Sequence, residues 1–440
     1  MSDTDTDKLC GLLWGSLCNE PGGTVRSCCI SREKLHDDNN KNFNLATTNP
    51  LNVLKSTQAK WLREELLAGR KPPQCDTCWI DEANGKESKR QMYNGFFDQW
   101  YKNQGTVWSK NIQEDDIKLI DIQLIFGNTC NLKCRSCNPN YSSKWVEEAA
   151  DRNFAEQFGI DRDVIDMNDP ENSKFWTEFD EWTSHLGRIE IMGGEPFYVK
   201  EFRNFINKLI DSDRARHIEL SLSTNGTILD KEFLNKIINN FKEVAFSVSI
   251  DGIHSKFEYL RNPAKWSEVK DNLDYFYKIH TDENYPVVIQ ITHTVTALNI
   301  MSLGEFHNYF ETHYPKFHIW DNVAHYPKWL TPSVLPNYVK KHITDSLGKT
   351  NFNNASEIQS IINYMNTELY TGETAPHETV EVKWQTFKDQ TVSADKYRGE
   401  DFRNVFPDLW DLIQHEFDYT AILSSINNNG YHSYGPGEFS

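Results

Sequence analysis

The apolar positions of this chain fall into two rhythms. From about residue 117, short β-rich runs alternate with stretches whose apolar residues recur at helical spacing. Ile117-Lys-Leu-Ile-Asp-Ile-Gln-Leu-Ile-Phe126, Arg188-Ile-Glu-Ile-Met192, His217-Ile-Glu-Leu-Ser-Leu-Ser223, Val244-Ala-Phe-Ser-Val-Ser-Ile250 and Val287-Val-Ile-Gln-Ile-Thr-His-Thr-Val295 predict strands. Phe317-His-Ile-Trp320 begins a sixth. Helices are predicted between them, near 140–157, 199–211, 230–241, 264–280 and 300–313, with Asp230 placed to cap the third. Each strand ends in Gly, Asn, Asp, Ser or Thr, as the ligand-binding end of a parallel sheet requires.

Strand–helix alternation at this spacing implies parallel strands joined by right-handed crossovers. The expected fold class is α/β: a partial (β/α)6 barrel over 116–330, with a doubly wound open sheet as the competing architecture. Residues 1–115 read as a separate small α+β unit. Trp14, Gly22-Gly23 and Val25 suggest a hairpin, and helices follow near 55–69 and 79–105. Residues 331–423 read as a helical, Trp/Tyr-rich extension, and 424–440 as a loose tail.

Composition narrows the function. Sixty-four acidic against 46 basic side chains give a net charge of -18, which excludes a general binder of nucleic-acid phosphates. Hydrophobic residues are only 38% of the chain, yet 13% are aromatic, and large rings supply enough buried area for a sizeable core. No apolar run is long enough to span a bilayer. The opening Met1-Ser-Asp-Thr-Asp-Thr-Asp lacks the basic and apolar parts of a signal peptide, so a cytoplasmic location is expected.

The nine cysteines carry the chemistry, and all lie at or before position 137. An odd number without an export signal suits metal better than a disulfide framework. Cys130-Asn-Leu-Lys-Cys134-Arg-Ser-Cys137 directly follows a predicted strand. A structural zinc ion would want a fourth protein ligand, and no His lies near. Three thiolates around a [4Fe–4S] cube leave one iron open.

This C-x3-C-x2-C spacing resembles the radical S-adenosylmethionine (SAM) superfamily. Gly193-Gly194-Glu195-Pro196, one strand later, is similar to that superfamily's GGEP motif, whose backbone pairs with the methionine amino group. The resemblance implies a SAM-binding [4Fe–4S] cluster on Cys130, Cys134 and Cys137. It also implies reductive cleavage of SAM to a 5′-deoxyadenosyl radical that abstracts a substrate hydrogen. Ser223, Asn225, Ser249, Asp251 and Arg261 are further candidate SAM contacts; turn caps, or a surface salt bridge for Arg261, are the competing readings. Thr294 and Val295 stand where the family often packs adenine. The family's aromatic residue before the third cysteine is replaced by Ser136, with Tyr141 a substitute.

Cys75-Asp-Thr-Cys78, together with Cys28 at the end of the hairpin and Cys10, resembles the ligand set of a twitch domain, a short relative of the SPASM domain. The resemblance implies an auxiliary [4Fe–4S] cluster; a zinc ribbon competes, and Cys29 competes with Cys28 as ligand. A fully ligated second cluster points to electron transfer, and so to a dehydrogenation or cross-link on a peptide or protein side chain or an alcohol. Candidate proton acceptors are His293, Asp321 and His325. Expected partners are a peptide, protein or small-molecule substrate and an electron donor such as flavodoxin or ferredoxin. Trp320, Trp329, Trp384 and Trp410 are either ligand-facing rings or core. A non-enzymatic iron–sulfur carrier or sensor, or a zinc-stabilised scaffold, would fit the cysteines but leave the open iron and GGEP unexplained.

Overall fold

A computed structural model describes residues 9–83, 87–103, 105, 116–152, 167–282, 285–350, 352–366 and 379–431. The fold is α/β, built on parallel strands, in two compact units. The first comprises residues 1–128, 161–223 and 230–245; the second comprises 129–160, 224–229 and 246–440.

In the first unit the strands are β1 (Ser16–Asn19), β2 (Val25–Arg26), β3 (Asp121–Leu124), β4 (Arg188–Ile191) and β5 (Glu219–Thr224), ordered β2-β1-β3-β4-β5. The predicted hairpin forms, with Cys18 opposite Arg26 and Asn19 opposite Val25. Its first strand also runs parallel to β3, pairing Leu17 with Ile122, so the N-terminal segment lengthens the sheet. β3, β4 and β5 are parallel. Helices Lys200–Asp211 and Lys231–Asn240 follow β4 and β5; Asp230 caps the second through the Phe233 amide at 3.0 Å.

One face of this sheet is apolar. Leu17, Ile122, Ile189 and Leu220 stand side by side in register, all buried. The helices covering it contribute rings. Phe205 stacks on Trp182 (6.2 Å between centroids, 8° between planes) and on Phe175 (5.8 Å, 27°), and packs against Phe126 at 5.3 Å. Such pairs add to the burial of the rings themselves.

β6 (Glu243–Ser249) runs from the first unit into the second, where β7 (Val287–Val295) and β8 (His318–Val323) pair in parallel with Ile291 beside Ile319. The core of the second unit joins Trp145, Leu298, Leu330 and Ile343 to Phe387, Phe402 and Phe417 of the C-terminal helices. Trp329 and Trp384 belong to this core and Trp410 packs against it, which answers the two readings left open for them. Trp320 is 43% exposed.

The expectation of a loose tail from 424 is corrected in part. Helix Tyr419–Asn429 continues through it because Asp418 caps the Ala421 amide at 2.9 Å and Tyr419 and Ile426 are buried. Residues 432–440 of that tail lie outside the described residues, as does the second half of the helix expected near 140–157.

Truncating Phe205 to Ala empties the centre of the ring cluster and is expected to cost about 4 kcal/mol of stability, read as a lowered denaturant midpoint.

Candidate functional site

The three-cysteine loop lies in the second unit and precedes helix Lys144–Asp151. Its backbone is held by bonds that this eight-residue loop, with Leu132 as its one aliphatic side chain, could not supply alone. Lys133 N donates to Asn262 O at 2.7 Å, Arg135 N to Leu260 O at 2.8 Å, and Cys137 N to Cys134 O at 3.0 Å. Trp145 Nε1 donates to Cys134 O at 2.9 Å, and Ser143 Oγ accepts from Cys130 N at 3.2 Å. Cys130 is buried, while Cys134 and Cys137 are half-buried. Burial pushes the Cys134 thiol up to about 11, against the pull of the Arg261 guanidinium. Burial and then the Cys134 thiol raise Cys137 further. The thiols feel one another, which is the condition for sharing a cationic cluster.

Arg261 stands beside them. Its Nη1 lies 3.9 Å from Cys134 Sγ, and its Nη2 pairs with Asp251 Oδ2 at 2.9 Å. Asp251, buried at the end of β6, also accepts from Thr294 N at 2.9 Å and so fixes the guanidinium. Arg261 Nε is buried with no hydrogen-bond partner among the described residues. A buried, unpaired donor next to thiols suits an acceptor ligand such as a carboxylate. The surface salt bridge that competed for Arg261 does not describe it, since both partners are buried.

Asn225 takes a different place. Its Nδ2 donates to Asn131 Oδ1 at 2.8 Å, and its Oδ1 accepts from Thr227 N at 2.9 Å and Thr227 Oγ1 at 2.6 Å. It caps its own turn and fastens that turn to the cysteine loop. Ser249 is half-buried at the end of β6, and Ser223 is half-buried on β5. Tyr141 is 38% exposed and Ser136 half-buried.

In the first unit, Gly193 (φ 78°) and Gly194 (φ 56°) turn the chain after β4. A Cβ on Gly193 would meet Ile125 Cγ2 at 2.5 Å, so both backbone conformation and packing require glycine there. Glu195 is fully buried, and its Oε1 accepts from Phe197 N at 3.2 Å, capping the short turn Pro196–Tyr198.

Cys10, Cys28, Cys75 and Cys78 line one cavity of the first unit, with Leu12, Leu13 and Trp79. Four separate segments bring them there: the turn before Leu12, the end of the hairpin, the turn Pro73–Cys75 and helix Asp76–Ala83. Burial raises all four thiols, Cys28 and Cys75 to about 12, and Cys10 feels each of the other three. Cys29 is not in the lining; its Sγ accepts from Lys89 Nζ at 2.9 Å. Adjacent residues at the hairpin end thus face different surroundings. Among the described residues no three Cys, His, Asp or Glu side chains converge closely enough to hold a single metal ion.

Two of the three candidate proton acceptors, His293 and Asp321, meet, and His325 is bonded elsewhere. Asp321 is buried between two imidazoles, His293 Nδ1 at 2.7 Å and His307 Nε2 at 2.9 Å. The two histidines hold its carboxyl below the usual range despite burial. His293 stacks on Phe306 at 4.1 Å, and His325 Nδ1 bonds Tyr364 Oη at 2.5 Å. The sequence reading missed a polar row on the other face of the first unit's sheet, where Cys18, Gln123, Glu190 and Ser221 stand in register. Tyr93 Oη donates to Glu190 Oε2 at 3.1 Å, and Gln123 Nε2 also donates to Glu190. Gln123 Oε1 is buried without a partner among the described residues. Strict alternation in Ile122-Gln123-Leu124 and Ile189-Glu190-Ile191 was the available signal.

Residues 124–306 match the Radical SAM superfamily profile. The chain is 37% identical over 65 residues to the S-adenosylmethionine-dependent nucleotide dehydratase of Psychrobacter lutiphocae, covering 14% of this chain and 21% of that protein. Among solved structures it resembles native anSMEcpe with bound AdoMet (TM-score 0.35, 18% identity, 64% of this chain and 62% of that one). It also resembles SuiB of Streptococcus suis bound to precursor peptide SuiA (TM-score 0.33, 13% identity, 67% and 60%). No helix among the described residues is long and apolar enough to cross a membrane. The match runs from the last residue of β3 into the helix Leu303–His313 after β7, and so contains the cysteine loop, Gly193–Pro196, Asp251 and Arg261.

Beside the polar row, Asp121 of β3 is fully buried, and burial raises its carboxyl to about 6. Because the folded value exceeds the unfolded one, its contribution is fully present below about pH 4 and is lost as pH rises through about 6. Between those limits the wild type should lose on the order of 2–3 kcal/mol of stability relative to Asp121→Asn. Denaturant melts of both proteins across that window check this.

Proposed function

We propose that this chain is a radical SAM enzyme. In this reading Cys130, Cys134 and Cys137 hold a [4Fe–4S] cluster, and Gly193–Pro196 and Arg261 receive the methionine part of SAM. Bound there, cluster and SAM would supply a 5′-deoxyadenosyl radical able to abstract a substrate hydrogen. The carrying observation is Arg261. Its guanidinium lies against Cys134, is fixed by buried Asp251, and keeps one buried donor unpaired. A carboxylate arriving beside the thiolates would satisfy that donor and offset the charge. Positive φ at Gly193 and Gly194 gives the main chain a turn there that glycine adopts most readily.

We assign Cys10, Cys28, Cys75 and Cys78 to an auxiliary [4Fe–4S] cluster in a twitch-like N-terminal domain. Four thiols spread around a cavity lining, rather than meeting at a point, suit a cube of iron and sulfur better than one zinc ion. Complete ligation favours electron transfer, so the reaction is an oxidation of oxidoreductase type: modification of a peptide or protein, or dehydrogenation of an alcohol. Flavodoxin or ferredoxin would deliver electrons in the cytoplasm.

The proton acceptor in that oxidation is better sought in Glu190 than in His293, Asp321 or His325. Glu190 is half-buried and oriented by Tyr93 and Gln123, whereas His293 and Asp321 are buried against each other and His325 is bonded to Tyr364.

Anaerobic reconstitution should give about eight irons per chain, and reduction should release 5′-deoxyadenosine from SAM. Cys134→Ala should abolish that release, and Cys75→Ala should remove about half the iron while leaving the first cluster in place. Zinc in place of iron, or iron without SAM cleavage, overturns the reading. Full iron retention in Cys75→Ala overturns the auxiliary site alone.

A further inference from the structure

Arg135 separates Cys134 from the third cysteine, and its side chain is 4% exposed. A guanidinium that deep must be paired. Two carboxylates from the C-terminal region meet it. Asp395 Oδ1 and Glu400 Oε2 each lie 2.5 Å from Arg135 Nη2, and the guanidinium stacks on the Tyr259 ring at 3.5 Å.

The carboxylates are themselves built in. Asp395 is fully buried in helix Val380–Arg398 and accepts from Tyr259 Oη at 2.8 Å, Tyr419 Oη at 2.8 Å and Phe402 N at 2.7 Å. Glu400 Oε1 accepts from Asn262 Nδ2 at 2.7 Å, and the Asn262 carbonyl accepts the Lys133 amide of the cysteine loop. Side chain and backbone of the loop are therefore tied to the same anchor.

We propose that Asp395 and Glu400, acting through Arg135, are positioning residues that set both the geometry and the reduction potential of the cluster on Cys130, Cys134 and Cys137. This rests on the reading of those cysteines as the cluster site. The triad Asp395–Arg135–Glu400 taken by itself carries one net negative charge behind the loop, and removing a carboxylate or the guanidinium changes that charge by one unit in opposite directions. Negative charge disfavours adding an electron nearby, and low dielectric lengthens its reach. Electron transfer to such a cluster depends on that potential, so the C-terminal extension acts on the first step of the chemistry without touching substrate.

The test is EPR-monitored potentiometry on the reconstituted full chain, with Cys75→Ala as background so that one cluster is read. Glu400→Gln, the milder change, and Asp395→Asn should each move the midpoint to more positive potential. Arg135→Gln should move it to more negative potential. Asp345→Asn, exposed on helix Asn337–Leu347 of the same unit, should leave it unchanged. Opposite signs for the carboxylate and arginine variants are what a loosened loop cannot produce, since loosening would drive all three the same way or lose iron from all three. If Glu400→Gln and Arg135→Gln keep the parent potential and EPR spectrum, the proposal is overturned. If the background protein holds no iron at all, the cluster assignment fails instead.

Discussion

The second unit is organised by carboxylates buried beneath its cysteine loop. Besides Asp395, Glu148 is wholly enclosed. It meets Arg152 at 2.7 Å, Arg398 at 2.9 Å and Lys133 at 3.1 Å. Burial opposes its charge, yet the Arg398 and Arg152 guanidiniums hold its carboxyl below the usual value. A buried charge stripped of one partner is costly, typically by about 3–5 kcal/mol, so such a network permits few alternative arrangements. Lys133 and Arg135, at alternate positions in the cysteine loop, each reach one of these carboxylates. The loop has one apolar residue of its own, Leu132, and is ordered by charge from beneath rather than by packing.

The sheet of the first unit departs from the usual parallel pattern. Strands covered by helices on both faces read as continuous apolar runs. Here Gln123 and Glu190 interrupt otherwise apolar strands, and their row meets Lys89 and Tyr93 of helix Lys89–Asn103 rather than an apolar helix face. Lys89 Nζ lies 4.8 Å above the Tyr93 ring, and Arg188 Cζ lies 4.7 Å from it. Lys89 and Arg188 bring positive charge to the Tyr93 ring, whose hydroxyl bonds Glu190, while the other face of the sheet is covered by rings such as Phe205 and Trp182.

Much of this was legible in the sequence because it is local. The strand over Val287–Val295 has the expected ends, and Asp230 caps the expected helix, since period and capping chemistry are written in neighbouring residues. What was illegible is non-local. Ser16–Asn19 has only four residues, and nothing in them signals parallel pairing with a strand more than a hundred positions away. Arg135 reads as a loop arginine, and its partner Asp395 sits 260 positions later in a helix. The helix Tyr419–Asn429 was hidden by its own Asn-rich end, although Asp418 announced its start.

The hairpin end shows how short-range geometry can divide chemistry between two identical side chains. Cys28 and Cys29 are adjacent in the bend and turn that follow the hairpin, yet their side chains go to different surroundings. With Cys28 in the lining shared by Cys10, Cys75 and Cys78, Cys29 is carried out of that cavity to Lys89. Cys18, one strand back, feels the Cys29 thiol most strongly after burial itself. The four lining cysteines share a mostly apolar cavity, while Cys18 and Cys29 lie towards Lys89, Tyr93 and Glu190. Exchanging the roles of Cys28 and Cys29 would require inverting the hairpin's exit. The fold, rather than sequence spacing, therefore selects which thiol of the pair enters the cavity lined by Cys10, Cys75 and Cys78.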